Sequence, residues 1–342
     1  MKNLIEKLSN MRGISGSEYR ITDELCLMLE PYCDSVRTDA LGSVIAERKC
    51  GKENAPKIMI EAHCDEIGLM VTSIQKGGFL TFANIGGVDN RILPLLEVVI
   101  HGKEDVAGVI GVKPPHLREE DKTPVISDMA IDTGLPEEEV RKLVSVGDGV
   151  TIAQSVGRLG KHQWSGKSLD DRASAAALID VMKELKGKKL NADVYAVLAV
   201  QEEVGCRGAK TAAYSVKPDM AIAVDVTHAV TPDNSENAFK TGCGAVICTG
   251  PNLHPKLTAK LFETARKHGI LTETEVEGGD TGTDAWTVQT AGIGCPTALI
   301  SIPLKYMHTS VETLSLSDVK AVSRLISSFI IDAGEDCKWL RL

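Results

Sequence analysis

The 342-residue sequence predicts an α/β fold: a mixed, mostly parallel sheet with helices on both faces, plus a small inserted β-rich domain. Two observations support this prediction. From residue 170 onward, apolar strand-like runs alternate with longer helical segments. Between residues 69 and 160, short β-like runs are separated by Gly, Pro and charged residues, which is typical of a small sandwich or barrel. We therefore expect one domain from residues 1–68 and 161–342, and an inserted domain from residues 69–160.

The N-terminal part of the larger domain is predicted as two helices followed by two strands. The helices span residues 2–11 and 17–30, and Pro31 ends the second helix. The strands span residues 36–49 and 57–62. The second of them is a continuous apolar run, which indicates a strand buried on both faces.

The remaining elements follow from the same patterns. In the insertion we predict a helix at residues 136–144 and strands at 69–74, 79–83, 96–100, 106–112 and 149–153. After it we predict a helix at 171–186, a strand at 193–200, a helix at 209–215, a strand at 220–226, a helix at 255–268, strands at 271–276 and 297–302, and a helix at 317–333. This alternation is the basis for expecting a mostly parallel sheet.

Composition and charge argue against several classes of protein. A net charge of −9 without a Lys/Arg stripe disfavours a nucleic-acid partner. No apolar run approaches the ~20 residues of a membrane span, and the N-terminus is amphipathic rather than a signal sequence. Nine Cys without a C-x-x-C motif argue against a disulfide framework and indicate a reducing, cytoplasmic location.

Five short polar motifs are candidates for the functional site, and most stand at or just beyond the end of an apolar run. Such positions converge at one edge of an open α/β sheet. The motifs occupy residues 62–68, 169–172, 201–205, 224–227 and 306–309. They offer two His and three or four carboxylates, enough for two divalent metals, so the pattern predicts a dinuclear metallohydrolase.

The first two motifs each allow a second interpretation. His63 and Asp65 share one face if the strand continues, and Asp65 can then accept the second N–H of a metal-bound His63. A buried His hydrogen-bonded to a strand-end Asp is the alternative. Asp170 and Asp171 precede a helix, where helix capping is the alternative to a bridging carboxylate.

The other three motifs supply the remaining candidates. Glu202 and Glu203 follow an apolar strand, where one carboxylate can bind metal while the other acts as a general base; a solvated strand end is the alternative. Asp225 lies inside an apolar run, so its carboxylate needs a partner, and a metal is a candidate. His308 follows the last predicted strand, and only its membership of the set makes it a candidate.

These motifs, in this order, resemble those of the glutamyl and tetrahedral aminopeptidases, which are dinuclear metallopeptidases of bacteria and archaea. The resemblance rests on AHCDEIG at 62–68, LDDR at 169–172, QEEVG at 201–205, DVTH at 225–228 and MH at 307–308, and it runs essentially end to end. Some relatives carry an endoglucanase label. The motifs do not support that label, because nothing in them looks like an acid/nucleophile pair for a sugar bond.

The resemblance implies two divalent metal ions per subunit, zinc or cobalt. The implied ligands are His63, Asp170 and Asp225 for one metal, and Asp170, Glu203 and His308 for the other. It also implies two catalytic roles: Glu202 as the general base, and Asp65 as the group that orients His63. The loop at residues 282–284 resembles the family's loop near the substrate pocket.

The resemblance further implies a zinc-peptidase-like catalytic domain and a PDZ-like insertion that mediates assembly into dimers and then tetrahedral dodecamers. The expected activity is removal of N-terminal residues from short peptides. An N-acyl amino acid amidase or deacylase on the same metal core is one alternative. A non-catalytic, metal-stabilised assembly protein is the other, and Glu202, a base beside the ligands, argues against it.

Overall fold

The computed structural model describes residues 1–114, 116, 125–334 and 336–341. In this part of the chain the α-helices are α1 (Lys2–Ser9), α2 (Thr22–Leu29), α3 (Glu137–Leu143), α4 (Leu169–Leu185), α5 (Arg207–Val216), α6 (Pro255–His268), α7 (Asp284–Gln289) and α8 (Leu316–Asp332). The first nine strands are β1 (Ser35–Thr38), β2 (Val44–Arg48), β3 (Lys57–His63), β4 (Gly68–Ile74), β5 (Leu80–Ile85), β6 (Glu97–His101), β7 (Asp105–Val112), β8 (Met129–Asp132) and β9 (Gly149–Ile152). The others are β10 (Gly157–Leu159), β11 (Gln163–Gly166), β12 (Asp193–Ala199), β13 (Met220–His228), β14 (Ala245–Thr249), β15 (Thr272–Val276), β16 (Thr297–Leu304) and β17 (Glu312–Ser315).

The main sheet is mixed and mostly parallel, as the sequence predicts. Its eight strands run in the order β1-β2-β12-β3-β13-β16-β14-β15. The central strands β12, β3, β13 and β16 are parallel to one another, whereas β1, β2 and the β14–β16 pair are antiparallel. The carboxyl ends of the four central strands therefore lie side by side at one edge.

Helices cover both faces of this sheet. Apolar side chains of α1, α2, α4, α6 and α8 form the larger core on one face. Those of α5 and α7 form a smaller core on the other. The innermost helix, α4, presents a run of buried Ala at positions 175–177, and such small side chains allow it to lie close against the strands.

A closed barrel of six strands is inserted between β3 and β10, with the order β4-β5-β8-β7-β6-β9. Its interior is filled by aliphatic side chains such as Leu80, Ile100, Ile110 and Ile131. The barrel ends at β9, and β10 pairs instead with β11 in a small sheet that also contains β17. The insertion expected at 69–160 is thus a barrel to residue 152 followed by a strand outside it.

Several elements differ from the prediction. The single strand expected at residues 36–49 is a hairpin of β1 and β2, because Asp39 accepts three backbone N–H groups of the turn and Gly42 adopts φ +105°. The prediction contains no counterpart of strands β8, β10, β11, β14 and β17 or of the short helix α7. No helix in the described ranges is long and apolar enough to cross a membrane.

Candidate metal centre

The five motifs meet at the carboxyl edge of the main sheet. β3 ends at His63, β12 ends just before Glu202 and Glu203, Asp225 lies in β13, and His308 follows β16. With Asp170 at the start of α4, these residues line a cavity of about 560 Å³. The structure therefore brings every candidate ligand and the candidate base together.

Asp170 lies between the two histidines. Its Oδ1 is 3.1 Å from His63 Nε2, and its Oδ2 is 3.2 Å from His308 Nε2. Glu203 Oε1 is 3.3 Å from the same His308 nitrogen. This is the arrangement expected of a carboxylate that bridges two cations, each of which has one imidazole ligand.

The donor atoms are close enough for metal binding. One ligand atom from each of His63, Asp170 and Glu203 lies within 4.8 Å of the others, and the same holds for His63, Asp171 and Asp225. Burial by itself lowers the pKa of His308, but the Asp170 and Glu203 carboxylates outweigh it and raise that pKa to about 11. The carboxylates thus require positive charge at this place, which fits divalent cations.

Asp65 is fully buried beside His63, with its Oδ1 3.3 Å from His63 Nδ1. The Ser15 hydroxyl donates to Asp65 Oδ2 at 2.6 Å, and the backbone N–H groups of Glu202 and Glu203 donate at 3.0 and 3.2 Å. Burial raises the pKa of Asp65, but the contacts with His63 and Ser15 outweigh it, so the pKa is lowered. Asp65 thus links His63 to the Glu202–Glu203 turn.

Glu202 faces the cavity without a place among the expected metal ligands. Its Oε2 is 4.0 Å from His63 Nε2, and its Oε1 accepts a hydrogen bond from the Cys206 thiol at 3.1 Å. Burial is the main reason that the pKa of Glu202 is raised to about 7. A carboxylate with a pKa near neutrality is suited to accept and return a proton.

His308 is positioned by groups that the sequence did not reveal. Its backbone N–H donates to Glu312 Oε1 at 2.9 Å, and Glu312 Oε2 accepts from the Asp170 N–H at 3.1 Å. Its Nδ1 lies 3.1 Å from the carbonyl oxygen of Gly87, in the loop after β5 of the barrel. A Cβ on Gly87 would lie 2.8 Å from that nitrogen, and one on Gly86 would lie 3.2 Å from Glu203 Cβ. The barrel thus packs directly on the candidate centre.

Three further carboxyl groups are buried at the centre, and no N–H or hydroxyl group of the described residues donates to them at hydrogen-bond distance: Glu61, Asp171 and Asp284. Burial raises the pKa of Glu61 to about 8, and Glu61 contacts Asp284. One sequence signal points to Glu61, because it precedes His63 by two positions and so shares its face of β3. Asp171 does not cap α4: its carboxylate is buried without a donor.

The far wall of the cavity is acidic. Glu275, Glu277 and Asp280 line it, and the hydroxyls of Thr227 and Ser301 donate to the Glu275 carboxylate. Among the described residues that line the cavity, none is a Lys or Arg. This wall faces the space next to the candidate metals.

Comparisons with known proteins agree with this geometry. A family model described as M42 glutamyl aminopeptidase matches residues 42–325. A lysyl aminopeptidase of Pyrococcus furiosus is 36% identical over 339 residues, which cover 96% of each chain. The structure of an aminopeptidase from the archaeon Desulfurococcus kamchatkensis is similar with a TM-score of 0.92 and 36% identity, over 99% of this chain and 96% of that one. The TET1 peptidase of Pyrococcus horikoshii, which can assemble into a tetrahedron or a large octahedral shell, matches with a TM-score of 0.87 and 34% identity, over 97% and 99%.

The fold, the motifs and these likenesses define the class of the protein, which is that of the aminopeptidases. Within that class, the chain belongs to the M42 glutamyl aminopeptidase family. The resemblance stated from the motifs is thereby confirmed.

Proposed function

We propose that this protein is a dinuclear, metal-dependent aminopeptidase that removes N-terminal residues from short peptides. The observation that supports it most is the position of Asp170, whose two oxygens face His63 and His308 at 3.1 and 3.2 Å. One metal would be held by His63, Asp170 and Asp225, and the other by Asp170, Glu203 and His308. When bound, zinc or cobalt ions there polarise the scissile carbonyl and acidify a water.

The chain's own side chains perform the proton transfer. Glu202 accepts the proton of the attacking water at a carboxylate oxygen and returns it to the leaving amine, as its raised pKa allows. Asp65 acts indirectly: it fixes the tautomer and orientation of His63 from the opposite side of the imidazole. The backbone N–H groups of Glu202 and Glu203 donate to Asp65. These hydrogen bonds fix the positions of the base, Glu202, and the ligand, Glu203, relative to His63.

We infer that the preferred N-terminal residue is basic. Glu275 lies half-buried in the cavity wall, with Thr227 and Ser301 orienting its two oxygens. Glu277 and Asp280 add negative charge nearby. A lysine or arginine side chain would find a partly desolvated carboxylate here, where an ion pair is stronger than in open solvent. The name of the lysyl aminopeptidase relative agrees with this preference.

The cavity wall also argues against the rival enzyme. An N-acyl amino acid deacylase needs a cationic group for the substrate carboxylate, and the lining residues within the described part of the chain include no Lys or Arg. A non-catalytic assembly protein would have no use for Glu202 as a base. The deacylase and the assembly protein each predict a result with a panel of substrates that differs from the one expected of an aminopeptidase.

We also propose how the protein assembles and where it is located. The barrel, as the PDZ-like insertion, would mediate pairing of copies into dimers and larger homo-oligomers up to a tetrahedral dodecamer; the tetrahedral assembly named for the Pyrococcus horikoshii relative supports this. A cytoplasmic location is supported by the nine cysteines, which are all unpaired. Light scattering of the purified protein measures the oligomer directly.

A panel of substrates tests the function. We would compare free-amine aminoacyl nitroanilides, N-blocked versions and carboxymethylcellulose, each after chelation and after addition of zinc or cobalt. Metal-restored cleavage of only the free-amine substrates is the expected result. Cleavage of N-blocked substrates would favour the deacylase, and cleavage of the glucan would overturn the peptidase assignment.

The substitution Glu275→Gln tests the preference for a basic residue. Loss of one charge-assisted contact should lower kcat/KM for lysyl nitroanilide by about 10- to 100-fold and leave leucyl nitroanilide nearly unchanged. Glu273→Gln is the matched control, since Glu273 is exposed on the same strand and does not line the cavity. An equal loss for both substrates would reject Glu275 as the specificity group.

A further inference from the structure

We propose that Glu202, Cys206 and Asp284 form a third cation site, beside the two proposed metals, which takes a thiophilic divalent cation such as Zn²⁺ or Cd²⁺ and inhibits the enzyme. The inhibition rests on the proposed function, because it requires Glu202 to be the base.

The three donor groups are already close. One atom from each of Glu202, Cys206 and Asp284 lies within 4.8 Å of the others, and Cys206 Sγ is 3.1 Å from Glu202 Oε1. Zinc–sulfur and zinc–oxygen bonds of roughly 2.3 and 2.1 Å place tetrahedral donors roughly 3.5 Å apart. Small side-chain movements therefore suffice. One thiolate with two carboxylates favours zinc or cadmium over magnesium or calcium.

Asp284 is the independent indication of a ligand. Its side chain is only 2% exposed, and neither of its carboxylate oxygens has a donor among the described residues. Asp284 contacts Glu61, a second buried carboxyl group, and it also faces His63 and Glu202. A buried carboxylate without a donor is costly, and a cation shared with Glu202 and Cys206 would remove that cost.

The cluster is held together by helix ends. Cys206 precedes α5, and its backbone N–H donates to the Glu202 carbonyl at 2.9 Å. Its own carbonyl accepts from the Thr287 hydroxyl at 3.1 Å, and Thr287 belongs to α7, the helix that begins at Asp284. Because Glu202 and Cys206 line the cavity, a cation can reach them from solvent.

Occupation of this site would inhibit without displacing the two catalytic metals. The proposed pair uses the charges of Asp170, Glu203 and Asp225, so Glu202, Asp284 and a thiolate remain for another cation. On binding, the Cys206 thiol and any protonated carboxyl group of Glu202 and Asp284 release their protons to solvent, and Glu202 becomes a ligand. A carboxylate bound to a cation no longer accepts the proton of the attacking water.

The test is a titration of Cd²⁺ into the protein already loaded with two metal ions per subunit. We would record the ultraviolet cadmium–thiolate absorption band, the cadmium bound at equilibrium dialysis and the peptidase activity. The wild type should bind one further cation with a thiolate band while activity falls at least tenfold. No thiol belongs to the two catalytic sites, so the band reports cysteine ligation alone.

Cys206→Ala is the decisive variant, and Cys243→Ala is its control, since Cys243 is half-buried outside the cavity lining. Cys206→Ala should lose the band and the extra cation, and its activity, relative to its own cadmium-free value, should resist at least tenfold more cadmium. Cys243→Ala should behave as the wild type. Asp284→Asn is a second variant that keeps the thiol and should weaken cadmium binding at least tenfold. A band and an extra cation that persist in Cys206→Ala would overturn the proposal.

The two proposals fail in different ways. An inactive protein that still shows the Cys206-dependent band would overturn the aminopeptidase function and leave the cation site standing. An active enzyme with no such band would overturn the cation site and leave the function intact.

Discussion

The α/β unit and the barrel bury different kinds of side chain. At the carboxyl edge of the main sheet, ionisable groups such as Glu61, Asp171 and Asp284 are buried, and no N–H or hydroxyl group of the described residues donates to them. In the described part of the barrel, His101 and Thr151 are the buried polar residues, and they bond to each other. Burying unpartnered charge costs free energy, so it persists where chemistry uses it. Buried ionisable groups therefore indicate the position of the candidate metal centre more specifically than the shape of the cavity does.

The largest expected effect is that of Glu202→Gln. The amide keeps the shape of the side chain but cannot take a proton, so kcat should fall by about 10²- to 10⁴-fold. Metal content and oligomer size should not change, because Glu202 is not among the proposed ligands. Steady-state kinetics with metal analysis measure both. Full activity in this variant would show that another group is the base.

In the barrel, Ile110→Ala should lower the stability of the protein without changing its catalytic activity. Ile110 is fully buried in the barrel core, and its truncation should cost about 2–5 kcal/mol of unfolding free energy. Activity per folded molecule should stay as in the wild type. Val109→Ala is the control, as Val109 is half exposed on the same strand. A matching loss of kcat in Ile110→Ala would contradict the separation of the two regions.

His101 should make stability depend on pH. Its Nδ1 is 2.8 Å from Asp105 and its Nε2 is 2.9 Å from the Thr151 hydroxyl. Burial, then the charges of Arg12 and Arg20, lower its pKa from 6.5 to about 4. The unfolded chain thus binds the proton more readily, so stability is lost as pH falls from about 6.5 to 4, by at most about 3 kcal/mol. Above pH 7 this residue adds no pH dependence.

The measurement is the denaturant midpoint between pH 7.5 and 4.5. In His101→Gln the loss of stability toward acid should be smaller than in the wild type. His162→Gln, at an exposed position, should leave the pH profile unchanged. Identical profiles for the wild type and His101→Gln would show that another group titrates.

The smallest expected effect falls where the two regions meet. In Gly87→Ala the new Cβ would lie 2.8 Å from His308 Nδ1, so it should displace that imidazole and weaken metal binding by about 10- to 100-fold. Gly111→Ala is the control within the barrel, with its nearest neighbour at an ordinary 3.6 Å. Chelator competition measures the affinity. Equal affinities in both variants would mean that the loop does not position His308.

The central strands and the positions of the motifs could be predicted because both have local signals. Apolar runs identify β3 and β13, and polar residues at strand ends must meet when strands are parallel. By contrast, Glu312 comes next to His308 and Asp170 only in the folded chain. No pattern in the neighbouring sequence indicates these hydrogen bonds. The six-residue helix α7 is too short to display a helical period. The roles of the five candidate ligands, Glu202 and Asp65 stay predictions.

The buried carboxylates at the sheet edge also bear on how the protein matures. A newly made chain that closes this edge without cations must either keep protons on these groups or bear their mutual repulsion. Cations that bind only the closed form would add their binding free energy to folding. The supply of metal in the cell would then set how much folded protein survives proteolysis, as well as how much of it is active.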